Sequence, residues 1–145
     1  MIEKSSITAV ILAGGRGSRM EGADKGLVNF AGRPLIAHVL DGIRPQVGNV
    51  LINANRTISE YAAYGHPVVP DELENFQGPL AGLEAASPIV TTSLLLVVAC
   101  DTPLLPKNLA EDLRGPIAAG RADISYAHDG ERAHYVCALL RREIL

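Results

Sequence analysis

Between Val10 and Leu27 the chain reads VILAGGRGSRMEGADKGL, a short apolar run that ends in Gly14-Gly15 and is followed within ten residues by Arg16, Arg19 and Lys25. Glycines let phosphate oxygens approach backbone N–H groups, because no Cβ holds them off. Fixed cations then balance a polyphosphate, which neutral amides alone do poorly. The spacing matches neither familiar glycine loop. Gly15-Arg16-Gly17 is followed at the sixth position by Met20, so G-x-G-x-x-G fails, and no window supplies G-x-x-x-x-G-K-[ST]. The stretch is either a longer phosphate loop carrying its own lysine or an ordinary glycine-rich turn with solvated charges.

Three further residues have types that suit a nucleotide. Asp101 follows the apolar run Leu94 to Ala99 and Cys100. A carboxylate held at a strand end is where a hard cation bridging phosphates needs one, and Mg²⁺ requires only one or two Asp beside phosphate oxygens and water. Read more plainly, Asp-Thr-Pro starts a turn and caps the next helix. Asn53 and Asp71 suit a purine. Guanine presents N1–H and N2–H₂ donors and an O6 acceptor, which a carboxylate and an amide can read where adenine mismatches. The plainer roles are a turn or cap for Asn53 and, for Asp71, a solvated acid beside Glu72 and Glu74.

Strands and helices must deliver these groups to one place, and the hydrophobic pattern alternates between the two. Ile7 to Ala13 reads as a strand buried on both faces. A helix is expected from Pro34 to about Gln46, with Leu35, Ile36, Val39, Leu40, Ile43 and Val47 on one face. Val50 to Ile52 and Val68-Val69 are short strands, with a small helix over Ile58 to Tyr64 between them. A second proline-started helix runs from Pro79 to about Ser87, and Leu94 to Ala99 is the most apolar strand. Pro106 to Arg114 is expected to be helical, broken or kinked at Gly115-Pro116. Asp123 to His128 and Tyr135 to Leu140 read as strands joined across Asp129-Gly130.

This alternation predicts a single α/β domain with a mostly parallel sheet and helices on both faces. Ligands of such sheets bind outside the carboxyl ends of the strands. Four strands here end in Gly14-Gly15, Asn53, Asp71 and Asp101, so all four polar ends are expected on one edge.

Composition narrows the alternatives. The 145 residues are 48% hydrophobic but 4% aromatic, so the core must be built from Leu, Val, Ile and Ala. A net charge of −3 and a pI near 5.8 argue against nucleic acid or an acidic membrane as main partner. No apolar run approaches the roughly 18 residues of a membrane span. Cys100 and Cys137 lie in apolar runs rather than in a disulfide framework, and the first apolar run is too short for a secretory segment, which suggests a reduced cytoplasmic protein. His38, His66, His128 and His134 lack metal-ligand spacing; His38 and His66 are expected on the surface.

The pattern LAGG-x-x-x-R-M-x-G-x-D-K resembles the opening of the nucleotidyltransferases with a Rossmann-like fold, and among them the molybdenum cofactor guanylyltransferase (MobA) family. N-A-N-R at Asn53 to Arg56, G-P-L-A-G at Gly78 to Gly82, C-D-T-P at Cys100 to Pro103 and H-D-G-E-R at His128 to Arg132 follow in the family's order. The resemblance implies a three-layer fold. It implies transfer of GMP from GTP to molybdopterin-bound molybdenum cofactor, giving the guanine dinucleotide and pyrophosphate. It assigns GTP to Leu12, Ala13, Gly14, Gly15, Lys25, Asn53, Asp71, Gly78, Leu80 and Asp101, Mg²⁺ to Asp101, and catalytic roles to Asp101, Lys25 and Arg19. It also implies partner proteins that deliver the cofactor and receive it for molybdoenzyme maturation.

The acceptor in that reaction is a phosphomonoester with a second pKa of about 6, so no protein base is needed; no His or Glu is expected beside the strand ends. His134 falls towards the family's acceptor side, although Tyr135 stands where many members have proline. The family continues beyond the position of Leu145 through a strand with N-x-N-T-P and a final helix. The chain, in which Arg141 to Leu145 reads as a helix start, is thus expected to be C-terminally short, to lack an edge strand and to expose apolar surface. A cytidylyl or sugar-phosphate nucleotidyltransferase, or a non-catalytic nucleotide-binding module, are the alternatives.

Overall fold

The computed structural model describes residues 3–14, 19–20, 23–71 and 79–145. Strand β1 (Ile7–Leu12) is followed by two small hairpins, β2 (Arg19–Met20) with β3 (Ala23–Asp24) and β4 (Asn29–Phe30) with β5 (Arg33–Pro34). Then come α1 (Leu35–Ile43), β6 (Asn49–Asn53), α2 (Ile58–Ala62), β7 (Val68–Val69), α3 (Pro79–Ala86), β8 (Leu94–Ala99), α4 (Leu109–Ala118), β9 (Ile124–His128) and β10 (Ala133–Arg141). Six strands form one sheet in the order β7-β6-β1-β8-β10-β9. β7, β6, β1 and β8 run parallel, and only β10 is reversed, since it pairs antiparallel with both β8 and β9.

Alternation along the strands sends side chains to two cores. Ile7, Ala9 and Ile11 of β1 and Leu94, Leu96 and Val98 of β8 meet Ile36, Val39, Leu40 and Ile43 of α1 and Leu109, Leu113 and Ile117 of α4. On the other face Val10, Leu51, Leu95 and Val97 meet Leu83 and Ala86 of α3. Helices therefore cover both faces, as the apolar runs of β1 and β8 demand. None of the described helices is long and apolar enough to cross a membrane.

Two local expectations change. The helix expected from Pro106 begins at Leu109 and runs through Pro116 to Ala118. Its first turn is capped from a distance, because the Gln46 side chain accepts the Ala110 N–H (2.8 Å) and donates to the Pro106 carbonyl (2.9 Å). Pro116 removes only one ladder bond, and fully buried Ile117 holds the following turn on the sheet. Arg141 ends β10 rather than opening a helix, and Arg142–Ile144 form a single 3₁₀ turn. His38 and His66 lie at the surface as expected, each partly exposed and each with a partner. The His38 ring bonds the Phe30 carbonyl (2.6 Å), and His66 accepts from Arg44 Nε (3.0 Å).

Candidate active site

Parallel pairing aligns the strand ends: Leu12 lies opposite both Asn53 and Ala99, and Asn53 opposite Val69. The polar residues that follow these positions share one edge, as strand order alone predicts. The Ala13 N–H donates to the Asn53 carbonyl at 2.7 Å, which extends the β1–β6 ladder to the residue before the first glycine.

At the ends of β6 and β7 the side chains form a closed set of bonds. Asn53 is 3% exposed, and its Nδ2 donates to the Val69 carbonyl (3.0 Å) and to Asp71 Oδ1 (2.8 Å). Asn55 Nδ2 donates to Asp71 Oδ2 (2.9 Å), while Asn55 Oδ1 accepts the Asp71 backbone N–H (2.7 Å). Two glycines make room for these amides. A Cβ on Gly14 would lie 2.9 Å from Asn55 Nδ2 and 3.0 Å from Asn53 Oδ1, and one on Gly82 would lie 2.6 Å from both Asn53 Oδ1 and Leu12 Cδ2. The first turn of α3 thus closes over Asn53, with Leu80 on it 66% exposed.

At the end of β8 lies a charged pair. Lys25 Nζ is 3.5 Å from an Asp101 oxygen, and about a third of each side chain is exposed. The lysine is presented by its neighbours. Asp24, almost fully buried, accepts from the Thr57 hydroxyl and faces Arg56 Nε at 3.6 Å, which ties the loop to the start of α2. Thr57 sits in the left-handed region at φ +50°, an uncommon conformation for a β-branched residue. Beneath the lysine, a Cβ on Gly26 would meet the Tyr61 hydroxyl at 2.6 Å, and that hydroxyl is buried without a hydrogen-bond partner among the described residues. Burial raises the Tyr61 phenol, with Cys100 adding to the effect. Burial, reinforced by Asp101, pushes the Cys100 thiol up to about 12, so it is a neutral packing group under the site rather than a nucleophile.

Because β10 runs back against β8, its first residues lie beside the β8 carboxyl end, and His128 at the end of β9 joins them. A groove of about 630 Å³ opens there, lined by Ala99, Thr102, Leu104, Leu109, His128, His134, Tyr135 and Cys137 among others. Histidines therefore do stand beside the strand ends, contrary to the expectation from sequence. His134 Nε2 meets Asp129 Oδ2 at 2.7 Å, and Asp129 Oδ1 accepts the Glu131 and Arg132 N–H groups at 2.8 Å each. The Arg132 amide above all, then His134 and the Glu131 amide, holds this carboxyl well below its usual range. The β9–β10 pairing slips between His134 and Ala138, which leaves Tyr135 71% exposed at the groove.

Of the residues expected from sequence, Leu12, Ala13, Gly14, Lys25, Asn53, Asp71, Leu80 and Asp101 lie along this edge. Gly15 and Gly78 lie outside the described residues, as does Arg16, and of Arg19 only the backbone, paired with Asp24, is described. Sequence reasoning missed Asn55, Asp24 and Thr57 as parts of the site. The signal was present in N-A-N-R and in the Asp-Lys step, where the residue next to each singled-out position does the holding.

Residues 9–145 match the family model described as the MobA-like NTP transferase domain. A molybdenum cofactor guanylyltransferase from Polynucleobacter asymbioticus is 50% identical over 88% of this chain and 64% of its own length. One from Shewanella sediminis is 46% identical over 95% of this chain and 70% of its own length. The chain thus spans about two thirds of these relatives. The crystal structure of molybdopterin-guanine dinucleotide biosynthesis protein A from Archaeoglobus fulgidus superposes with a TM-score of 0.72 at 22% identity, covering 94% of this chain and 68% of that one, which shows the shared fold. With Gly14, the Asp-Lys step and the strand-end aspartates all placed on one edge of that fold, the chain belongs to the MobA-like NTP transferase family.

Proposed function

We propose that the chain binds GTP along the carboxyl edge of its sheet and transfers GMP to molybdopterin-bound molybdenum cofactor, releasing pyrophosphate. The observation that carries this reading is the pairing of Lys25 with Asp101 at the end of β8, two strands from the Asn53–Asp71–Asn55 cluster. Guanylyltransferases that share half of its sequence support the nucleotide and the acceptor.

Asp71 would meet the guanine N1–H and N2–H₂ donors, and Lys25 the β and γ phosphates. Asp101 fits Mg²⁺: it is a hard oxygen donor at a strand end, open to solvent, and the described residues contain no cluster of three acidic, His or Cys ligands, so phosphate and water oxygens would complete the shell. The ion would supply positive charge to the phosphates as pyrophosphate leaves. The acceptor's phosphate oxygen forms the new bond to the α-phosphorus while the bond to the β-phosphate bridge breaks. That oxygen is already ionised near neutral pH, so the protein's work is positioning and charge neutralisation. The largely apolar groove beside Ala99 and Thr102 is where a flat acceptor ring would lie, with the Asp129–His134 pair at its rim. Two free cysteines, one of them buried, fit the reducing cytoplasm.

Calorimetric titration with GTP, CTP and ATP, each with and without Mg²⁺, tests the assignment. Saturable binding confined to GTP and strengthened by Mg²⁺ is expected. Preferential binding of CTP would move the chain to cytidylyl transfer, and GTP binding without turnover on the loaded acceptor would make it a binding module.

A further inference from the structure

Asn55 is an exposed side chain that commits both its oxygen and its nitrogen to one residue, Asp71. Exposed hydrogen bonds exchange readily with water and contribute little to stability, so a double bond of this kind suggests control of orientation. A carboxylate turns easily about its last torsion. One donor fixes one oxygen and leaves the plane free to rotate about it. Asn53 is that single donor to Oδ1, and it is a rigid peg, buried between Gly14 and Gly82 and bonded also to the Val69 carbonyl. Asn55 supplies the second donor, to Oδ2, and its own oxygen holds the Asp71 backbone. Each carboxylate oxygen has two acceptor sites. With one on each oxygen filled from the protein side, one on each remains for a bidentate partner.

We propose that Asn55 is a positioning residue that fixes the plane of the Asp71 carboxylate and thereby sets the preference for a base with two adjacent donors, N1–H and an exocyclic amine. This rests on the reading of Asp71 as the group that meets the base.

The test compares GTP with inosine triphosphate, which lacks the exocyclic amine, by titration of the 145-residue chain and its variants, with thermal melting of each. Wild type binds GTP about tenfold tighter than inosine triphosphate, the size of one charge-assisted hydrogen bond. Asn55→Ala melts close to wild type, yet its GTP preference falls to within about threefold of parity, mainly through weaker GTP binding. Asn55→Asp is nearly isosteric and keeps the acceptor for the Asp71 N–H. It replaces the donor with a like charge that faces the Asp71 carboxylate, so it loses the preference at least as fully.

Equal weakening of both nucleotides with the preference intact, or an unchanged preference in Asn55→Asp, overturns the proposal while leaving the reading of Asp71 in place. Failure of that reading shows elsewhere: wild type binds no GTP or does not prefer it over inosine triphosphate, or Asp71→Asn binds xanthosine triphosphate, which has a carbonyl in place of the amine, no better than wild type does.

Discussion

At the ends of β6 and β7 the polar groups are already partnered: Asn53 is buried, both oxygens of Asp71 accept from amides, and two glycines leave just enough space for them. At the end of β8, Lys25 and Asp101 face each other at 3.5 Å with about a third of each side chain in solvent. The first region suits an uncharged base edge, which discriminates by geometry and needs acceptors that do not move. The second suits a polyphosphate, whose negative charge competes with the carboxylate for the lysine. A solvent-exposed ion pair contributes little to stability, so separating it on binding costs little.

The sharpest way to break this contrast is Asp101→Ala. Transfer should fall by about a hundredfold or more while the melting temperature stays near that of wild type. Wild-type turnover in that variant would remove Asp101 from the reaction. Asn53→Ala should act in the opposite sense, on the fold first. It leaves the Val69 carbonyl without its side-chain donor and strips one from Asp71, at a cost of about 2–3 kcal/mol visible in the urea midpoint. A midpoint shift under half of that would mean that the region is less rigid than its bonds suggest.

Lys25→Gln should weaken GTP binding about tenfold and leave GMP binding nearly unchanged; equal loss for both nucleotides would place Lys25 away from the terminal phosphates. The smallest effect concerns Cys100 beneath Asp101. Its thiol is raised from 9.0 to about 12 in the folded chain. The unfolded chain therefore gives up this proton first, and the stabilisation, complete below pH 9, is lost as pH rises towards 12. Stability should drop by about 1 kcal/mol between pH 9 and pH 10, with a shallower slope in Cys100→Ala. Identical slopes would mean that the buried thiol titrates as it does in the unfolded chain.

Much of this was legible from local pattern. Leu94–Ala99 and Val68–Val69 are strands with the boundaries read from sequence, and the face of α1 marked by Ile36, Val39, Leu40 and Ile43 is the buried one. The start of α4 was not legible, because Gln46 caps it from 64 residues away. The expectation that no histidine stands beside the strand ends failed for the same kind of reason, with His134 the clearest case. Linear order separates it from Asp101 by a helix and a strand, and only the reversal of β10 brings it to the β8 end.

What the sequence by itself determined is the set of strand ends and the chemistry at each, since apolar runs and the polar residues that close them are properties of neighbours along the chain. Tertiary structure alone decided which of those groups are already occupied with one another. Asn55 meets Asp71 because β6 and β7 lie side by side, and Asp24 is buried because β3 lies against the start of α2. Hydrogen bonds between side chains far apart in sequence depend on distances of a few tenths of an ångström, and no spacing along the chain encodes those.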